Sequence, residues 1–362
     1  PADPVSAAYL MMPVLSYRLY GDARCAQEEY EGCKRWVQFL LSRSEGYLMN
    51  YSYYADWVAP ACFEEHTDNL YVSSVFLFWQ LKLLAQMARI TGRTADARRY
   101  AAKAEESKQA VHAHYFNAAT GHYANGTQTA DALALSLGIV PEAERARVAA
   151  GLLRNVVSRG YHSACGNIGY RHLFYALGDS GHADSALRML KNPEYPGWGY
   201  MLEQGATTVW ERWESDVGTD MHSFDHPMFA AYDGFLFNYL AGIRTKECEN
   251  AFQKIVVEPC FVKCLQSVSA SLETVRGKIS VRWERTGKTI VLSVDTPANT
   301  RLVVRAAGKE LCMNGRSVRD GIELTNGKFI IEIGECDETN QKVVGACDRT
   351  ADGGVYDGRL YR

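Results

Sequence analysis

The sequence predicts a multidomain fold, in which an incomplete (α/α)6 toroid of helical hairpins is followed by an antiparallel β-sandwich. Three observations predict it. Residues 1–246 carry apolar positions at helical spacing, separated by short turns. From residue 252 onward the spacing changes to alternation, which is typical of half-buried strands. Six of the seven Trp and all nine His precede residue 244, so the helical part is expected to carry the chemistry.

The first half of the helical part has clear start and stop signals. Gly21 ends the first helix, because glycine readily takes the left-handed conformation beyond a helix end. Thr67-Asp68 starts the third helix, and Thr94 is expected to cap the fourth. Helices are predicted over residues 4–20, 24–43, 67–91 and 94–115, with an aromatic loop at 44–66.

The second half continues the pattern of antiparallel pairs. Pro141 followed by acidic residues is a good helix start, and Gly178-Asp-Ser-Gly181 is a tight turn. Helices are predicted over residues 128–137, 141–159, 166–177, 181–190 and 227–241. Consecutive helical hairpins of this kind can close into a ring around a central cleft. The helices counted here fall short of six hairpins, which is why the toroid is predicted to be incomplete.

The β part begins near Cys248. Alternating segments are separated by turns such as Arg276-Gly277 and Asn326-Gly327. Strands are predicted over residues 254–257, 267–272, 278–283, 289–294, 301–305 and 328–333. We therefore expect a helical domain over 1–246, a β-sandwich over 247–335 and a polar tail over 336–362.

Composition excludes several classes of partner. The chain has 362 residues and a net charge of −3, which argues against a nucleic-acid or anionic-membrane surface. No uninterrupted apolar run reaches the ~20 residues of a membrane span.

The chain opens Pro-Ala-Asp-Pro, without Met or a secretory leader, so a processed chain or a fragment is expected. The compartment, cytoplasmic or periplasmic, stays open.

The cysteines predict neither a metal site nor a cofactor. The ten cysteines lie at positions 25, 33, 62, 165, 248, 260, 264, 312, 336 and 347, and none forms a Cys-x-x-Cys pair. Cys260 and Cys264 are expected on one strand, where they do not easily bridge. Scattered buried thiols are the prediction, and they favour a reducing compartment.

The most unusual stretch is residues 203–229, between two helices. It brings together aromatic rings, a central carboxylate and two histidines, and its aromatic members are Trp210, Trp213, Phe224 and Phe229. Aromatic faces cover the apolar faces of a sugar, while a carboxylate performs acid or base chemistry. A long connection rich in functional side chains is more often a site than a spacer.

Glu211 is the candidate catalytic residue in this stretch. It lies between Trp210 and Trp213, and a carboxylate that loses hydration beside indole rings suits general acid or base catalysis. The alternative is a structural ion pair, for example with Arg212. The two tryptophans are candidate sugar-binding rings, and packing in the core is the alternative for both.

A second candidate lies in Tyr53-Tyr-Ala-Asp-Trp-Val-Ala-Pro60. The carboxylate of Asp56 could accept hydrogen bonds from sugar hydroxyls, with Trp57 stacked on the ring. The alternative is a helix-capping Asp with a core Trp.

These motifs resemble the bacterial α-L-rhamnosidases of glycoside hydrolase family 78. The resemblance rests on Gly205-Ala-Thr-Thr-Val-Trp-Glu-Arg-Trp213, His226-Pro-Met-Phe229, Tyr239-Leu-Ala-Gly-Ile243 and Pro196-Gly-Trp-Gly-Tyr-Met201. It implies hydrolysis of terminal α-L-rhamnosyl residues with inversion and Glu211 as the general base. It also implies that Asp56 and His226 contact rhamnose and that Trp198 forms a cleft wall.

The sequence departs from the family pattern at three positions. Ala55 replaces the usual Gly before Asp56, so the loop is expected to shift if that position needs a positive φ. Asp225 stands where the family has Asn, and it could hold a proton on the His226 ring. Ala230 replaces a Gly.

The general acid of the family lies in an Asp-Glu-Arg segment, and residues 1–50 contain none. Glu64-Glu65 is better explained as a solvated acidic turn. The acid is therefore expected upstream of this chain, and the missing N-terminal part of the same enzyme is a possible partner. Loss of the proton donor would cost ~10²–10⁴-fold in rate.

Two other functions stay open. One is a carbohydrate-binding remnant that no longer catalyses. The other is a different toroid enzyme, either a polysaccharide lyase or a glycoside phosphorylase. A lyase needs cationic groups that neutralise an acidic sugar, and a phosphorylase needs a phosphate site. The motifs above consist of Glu, Asp, Trp and His, which favours a neutral sugar.

Overall fold

The computed structural model describes residues 4–63, 66–214, 218, 222–245 and 251–334. Within them a helical hairpin domain is followed by a β domain, as the sequence predicts. The Glu64-Glu65 pair and the predicted tail lie outside the described residues.

The helical domain begins with a 3₁₀ turn, Pro4–Ala7. The helices that follow are α1 (Ala8–Tyr20), α2 (Arg24–Ser42), α3 (Asn69–Ile90), α4 (Thr94–Tyr115), α5 (Gln128–Ser136), α6 (Glu142–Ser158), α7 (Asn167–Asp179), α8 (Ala183–Leu190) and α9 (Trp198–Glu203). Two short hairpins separate them, β1 (Ser44–Glu45) with β2 (Leu48–Met49), and β3 (Phe116–Asn117) with β4 (His122–Tyr123). Helices α2 to α8 match the predicted ones to within about two residues, and α1 begins four residues later than predicted, after the 3₁₀ turn.

Helix α3 is the centre of the helical core. It is apolar on all sides and packs against α1, α2, α4 and α5, with sixteen of its 22 residues buried. Its length and mean hydropathy of 1.2 would also suit a membrane span, but 83% of its most apolar 18-residue segment is buried inside the protein. Helix α3 is thus covered by its neighbours, as a core helix must be.

The helix ends confirm the sequence predictions at Gly21 and Asp68 and contradict the one at Thr94. Gly21 adopts φ 74° after α1, and the Asp68 carboxylate accepts the Tyr71 amide at 2.7 Å to cap α3. Thr94 is wrong as the cap of α4. It is the first helical residue, and Arg93 occupies the cap position without a side-chain hydrogen bond.

The end of the helical domain differs most from the prediction. In place of one helix over 227–241 there are a 3₁₀ segment (Pro227–Ala231), a short helix α10 (Tyr232–Phe235) and a π-helical turn (Leu236–Leu240). The sequence analysis also missed α9, which has only six residues. Periodicity alone does not distinguish 3₁₀, α and π winding, because over one or two turns all three helix types show a similar apolar stripe.

The β domain consists of two packed sheets. Its strands are β5 (Ile243–Thr245), β6 (Lys254–Val257), β7 (Ser267–Thr274), β8 (Gly277–Thr286), β9 (Thr289–Thr296), β10 (Arg301–Val304), β11 (Leu311–Met313), β12 (Arg316–Val318), β13 (Ile322–Leu324) and β14 (Gly327–Ile333). The larger sheet has the order β12-β11-β14-β9-β8-β7 and is antiparallel.

The smaller sheet has the order β13-β10-β6-β5, and it corrects the purely antiparallel expectation. Strands β6 and β10 pair in parallel, with Ile255 opposite Leu302. Between these two strands the chain passes through the other sheet, so it returns in the same direction.

The cysteines are also partly corrected. Cys260 and Cys264 lie in the coil before β7 and not on a strand. Six cysteines in the described part of the chain are free thiols, at positions 25, 33, 62, 165, 260 and 264. Cys312, however, is disulfide-bonded, so the prediction of scattered thiols alone was wrong.

The two domains are joined by specific contacts. The fully buried Trp283 of β8 donates its indole N–H to the Leu240 carbonyl at 2.7 Å, and the Lys263 amide donates to Oδ1 of Asp184 on α8 at 2.7 Å. Strand β5 already pairs with β6, before the expected boundary at residue 247. We therefore propose that the β domain begins near Gly242.

Buried His172 on α7 leads to a pH prediction. Its Nδ1 lies 2.8 Å from the Ser136 hydroxyl, between the rings of Phe76 and Trp79. Burial lowers the pKa of His172 to about 3, below the ~6.5 of an unfolded histidine. Between these values the unfolded chain binds a proton that the folded chain does not, so stability falls as the pH falls. We expect a loss of about 2 kcal/mol from pH 6.5 to 5.

Urea unfolding at both pH values checks this expectation. His172→Gln should remove most of the loss, because glutamine does not titrate and can still bond to Ser136. His114→Gln is the matched control, since His114 is exposed on α4. An equal pH dependence in the wild type and the His172→Gln variant would contradict the assignment.

Candidate functional site

Two arms of the 203–229 stretch pair with each other. The Glu211 amide donates to the Ser223 carbonyl at 2.9 Å, and the His226 amide donates to the Val209 carbonyl at 2.7 Å. The Ser223 amide donates in turn to Oε2 of Glu211 at 3.0 Å. Within the described residues Oε1 of Glu211 accepts no hydrogen bond. The carboxylate is thus fixed through one oxygen and retains acceptor capacity on the other.

The two tryptophans beside Glu211 are buried. Trp213 is 1% exposed and stacks on Phe229 with ring centroids 4.5 Å apart. Trp210 is 5% exposed and meets the ring of Phe224 edge-on at 5.3 Å. Neither ring offers an open face for a sugar, so the packing alternative describes them better. Their burial anchors the arm on both sides of Glu211.

Helix α7 connects this arm to Trp198. The Trp198 indole donates to the Tyr170 hydroxyl on α7 at 2.8 Å, and its ring meets Trp213 edge-on at 6.0 Å. Tyr170 also contacts Trp213 and Phe229. Trp198 itself is only half-buried, so it remains available as a cleft wall.

Asp56 caps the N-terminus of the same helix. Its Oδ1 accepts the amides of Ile168 and Gly169, both at 2.9 Å, and its Oδ2 accepts the Gly166 amide at 2.9 Å and the Thr129 hydroxyl. Burial raises the pKa of Asp56, and these four hydrogen bonds oppose the rise. The capping alternative therefore holds in the structure, and a sugar hydroxyl would have to share these acceptor positions.

Close backbone approach makes the cap possible. A Cβ on Gly169 would come within 2.0 Å of the Thr129 hydroxyl oxygen, and one on Gly166 within 2.3 Å of the Trp57 carbonyl oxygen. The Trp57 carbonyl accepts the Asn167 amide at 2.9 Å, while its ring is only half-buried. Ala55 has φ 47°, so this position does take the conformation that favours the family's glycine.

His226 is half-buried, and its Nδ1 has no hydrogen-bond partner in the described part of the structure. The expected bond between the Asp225 carboxylate and this ring does not form there. Asp225 is exposed, and its amide donates to the Ser223 hydroxyl oxygen at 3.1 Å. This ring nitrogen is thus both buried and unpartnered in the described part of the structure.

Glu214 joins the arm to the other loops, and the sequence analysis did not single it out. Its Oε1 accepts the Tyr195 hydroxyl and, at 3.4 Å, the amide of Ala61. The signal was present as a second glutamate three residues after Glu211, but spacing alone does not reveal a tertiary partner. Through Glu214, α7 and their contacts, the segments 55–63, 195–198, 208–214 and 223–229 come together.

Other features do not compete for the site. In the residues that the structure describes, no group of three or more His, Cys, Asp or Glu could hold a metal ion. A cavity of about 520 Å³ is lined by residues that include Tyr161, Arg188 and Cys264, and it shares no residue with the predicted site. Chemistry, more than cavity size, therefore selects the candidate site.

Two family models match consecutive parts of the chain. The model described as the bacterial alpha-L-rhamnosidase 6 hairpin glycosidase domain matches residues 6–240. The model of the bacterial alpha-L-rhamnosidase C-terminal domain matches residues 242–316.

Curated relatives agree with these matches. An alpha-L-rhamnosidase of Streptomyces avermitilis is 28% identical over 81% of this chain and 28% of its own length. One of Formosa agariphila is 26% identical over 87% of this chain and 35% of its own length. The chain thus spans about a third of the length of the curated relatives that it matches.

Solved structures are similar as well. An alpha-L-rhamnosidase from Dictyoglumus thermophilum superposes with a TM-score of 0.84 at 27% identity, covering 92% of this chain and 40% of that one. The Streptomyces avermitilis alpha-L-rhamnosidase complexed with L-rhamnose gives 0.78 at 27% identity, covering 90% of this chain and 32% of that one.

Proposed function

Because the chain belongs to the bacterial α-L-rhamnosidase family, we propose that it hydrolyses terminal α-L-rhamnosyl residues of glycosides, with Glu211 as the general base. Relatives that carry this name support the reaction, and the relative complexed with L-rhamnose supports the sugar.

One observation carries the assignment of Glu211. Its carboxylate is held by the Ser223 amide through Oε2, while Oε1 accepts nothing from the described residues. A base must be fixed in place and must still offer an acceptor to the water it activates. Buried Trp210 and Trp213 hold the backbone on either side of it.

The proposed reaction proceeds in one displacement. Water held by Glu211 attacks the anomeric carbon and loses its proton to the carboxylate, while a second carboxyl group protonates the leaving oxygen. In inverting enzymes the two carboxyls stand about 6.5–9.5 Å apart, which leaves room for this water. We assign no residue of this chain to the acid.

The remaining candidates are proposed to hold the sugar. Trp57 and Trp198, both half-buried, can cover its apolar faces, and the half-buried ring of His226 can bond to a hydroxyl. Asp56 holds α7 and its own loop, and it contacts the sugar only if it shares its acceptors. Trp210 and Trp213 are proposed to support Glu211 by packing.

Release of nitrophenol from an aryl α-L-rhamnoside tests the function. It should be measured with this chain and with the longest protein that carries it, because the curated relatives are longer. Proton NMR during the first turnovers should detect β-L-rhamnose, since a single displacement inverts the anomeric centre. α-L-Rhamnose as the first product would contradict the mechanism.

The same assays separate the other candidates. If either protein binds L-rhamnose without turnover, the result would support a carbohydrate-binding function without catalysis. Turnover that requires inorganic phosphate would indicate a phosphorylase, and an unsaturated product from an acidic polysaccharide would indicate a lyase.

A further inference from the structure

Glu214 and Tyr195 form a contact that joins three separate segments of the chain. The Tyr195 hydroxyl donates to Oε1 of Glu214, and the same oxygen accepts the Ala61 amide at 3.4 Å. Tyr195 lies three residues before Trp198, Ala61 follows the Asp56 loop, and Glu214 lies three residues after Glu211. One carboxylate therefore holds together the segments that carry the candidate base and the candidate sugar-binding rings.

The environment strengthens this contact. Both side chains are half-buried, and a hydrogen bond from a hydroxyl to an ionised carboxylate is stronger than a neutral one. Burial, and then the hydrogen bond to Glu214, raises the pKa of Tyr195, so the hydroxyl keeps the proton that it donates. The Tyr200 ring packs edge-on against Tyr195 at 5.2 Å and limits its rotation.

We propose that Glu214 and Tyr195 are positioning residues, which act on the reaction by holding the Glu211 arm against the loops of Asp56 and Trp198. This inference rests on the proposed function. The two residues do not need to touch the sugar. Their effect arises because misplacement of a catalytic group by about 1 Å can cost on the order of 10²-fold in rate.

Hydrogen exchange measured by mass spectrometry tests the contact without any activity assay. Glu214→Leu should speed exchange in all three segments, around residues 58–63, 192–197 and 205–214. Glu214→Gln should leave exchange nearly unchanged, because its amide oxygen can still accept from Tyr195 and Ala61. Faster exchange only around residue 214 would overturn the proposed connection, whatever the enzyme's activity.

Kinetics of the active protein then test the positioning role. Tyr195→Phe and Glu214→Leu should each lower kcat about 10–100-fold with little change in KM, since ground-state binding is retained. Glu214→Gln should recover most of the kcat. The double variant should lose no more than either single variant, because both remove the same contact.

Tyr200→Phe is the matched control, because no hydrogen bond of its hydroxyl is seen among the described residues. It should leave kcat unchanged. Full additivity of Tyr195→Phe and Glu214→Leu, or an equal loss in Tyr200→Phe, would overturn the positioning role. If exchange responds in all three segments but no variant or wild-type protein cleaves rhamnosides, the connection stands and the proposed function fails.

Discussion

Glu211→Gln is expected to lower kcat for rhamnoside hydrolysis by ~10²–10⁴-fold, which is the usual contribution of a general base. Glutamine is nearly the same size and its amide oxygen can still accept the Ser223 amide, so the arm should keep its place. What is lost is the ability to take a proton from water. KM should change little, because the base acts mainly in the transition state.

Steady-state kinetics on an aryl α-L-rhamnoside measure this effect. Glu203→Gln is the matched control, since Glu203 is exposed at the end of α9, eight residues before Glu211. It should keep the wild-type rate. A Glu211→Gln variant with more than about a tenth of the wild-type kcat would reject Glu211 as the base.

Asp56→Asn is expected to destabilise the helical domain by about 4 kcal/mol. The carboxylate accepts three amides at the N-terminus of α7 and the Thr129 hydroxyl, and an asparagine offers one acceptor oxygen in place of two. The new NH₂ group would face donors, and at least one buried amide would lose its partner. Hydrogen bonds to a charged acceptor are worth about 1.5–3 kcal/mol each, which sets this magnitude.

Urea unfolding at neutral pH gives the comparison. Asp68→Asn is the matched control, because the Asp68 side chain caps α3 through a hydrogen bond from the Tyr71 amide, and asparagine caps helices about as well. It should change stability by less than about 0.5 kcal/mol. Equal effects of the two substitutions would show that Asp56 is an ordinary cap.

A sugar-binding role and a purely capping role of Asp56 predict different kinetic effects of Asp56→Asn. If it also contacts rhamnose, Asp56→Asn should raise KM in protein that remains folded. If it acts only as the cap of α7, the loss of activity should follow the loss of folded protein. Activity measured with a folding-stabilising osmolyte present separates these outcomes.

The sequence predicted the long, strongly patterned elements well. Helices α1 to α8 and the longer strands follow from periodicity, and Gly21 and Asp68 mark helix ends by local chemistry that acts within a few residues. The short α9 and the change from 3₁₀ to π winding near Tyr232 depend on packing against α7, which a local pattern does not contain.

For the candidate site, the sequence names residues and the structure adds their contacts. The motif identified Glu211, and the structure adds that its carboxylate is held on one side by Ser223. Helix capping is one of the two roles that the sequence suggests for Asp56. The four groups that donate to its carboxylate, however, lie more than seventy residues away along the chain. Glu214 and Tyr195 were missed because their contact exists only after folding.

The most direct measurement is a crystal structure of the active protein with L-rhamnose. The account predicts that the sugar lies between the loops of Asp56, Trp198 and His226, and that the anomeric hydroxyl of the β-anomer lies within hydrogen-bond distance of Oε1 of Glu211. Rhamnose bound elsewhere, or bound there with Glu211 turned away from the anomeric carbon, would contradict it.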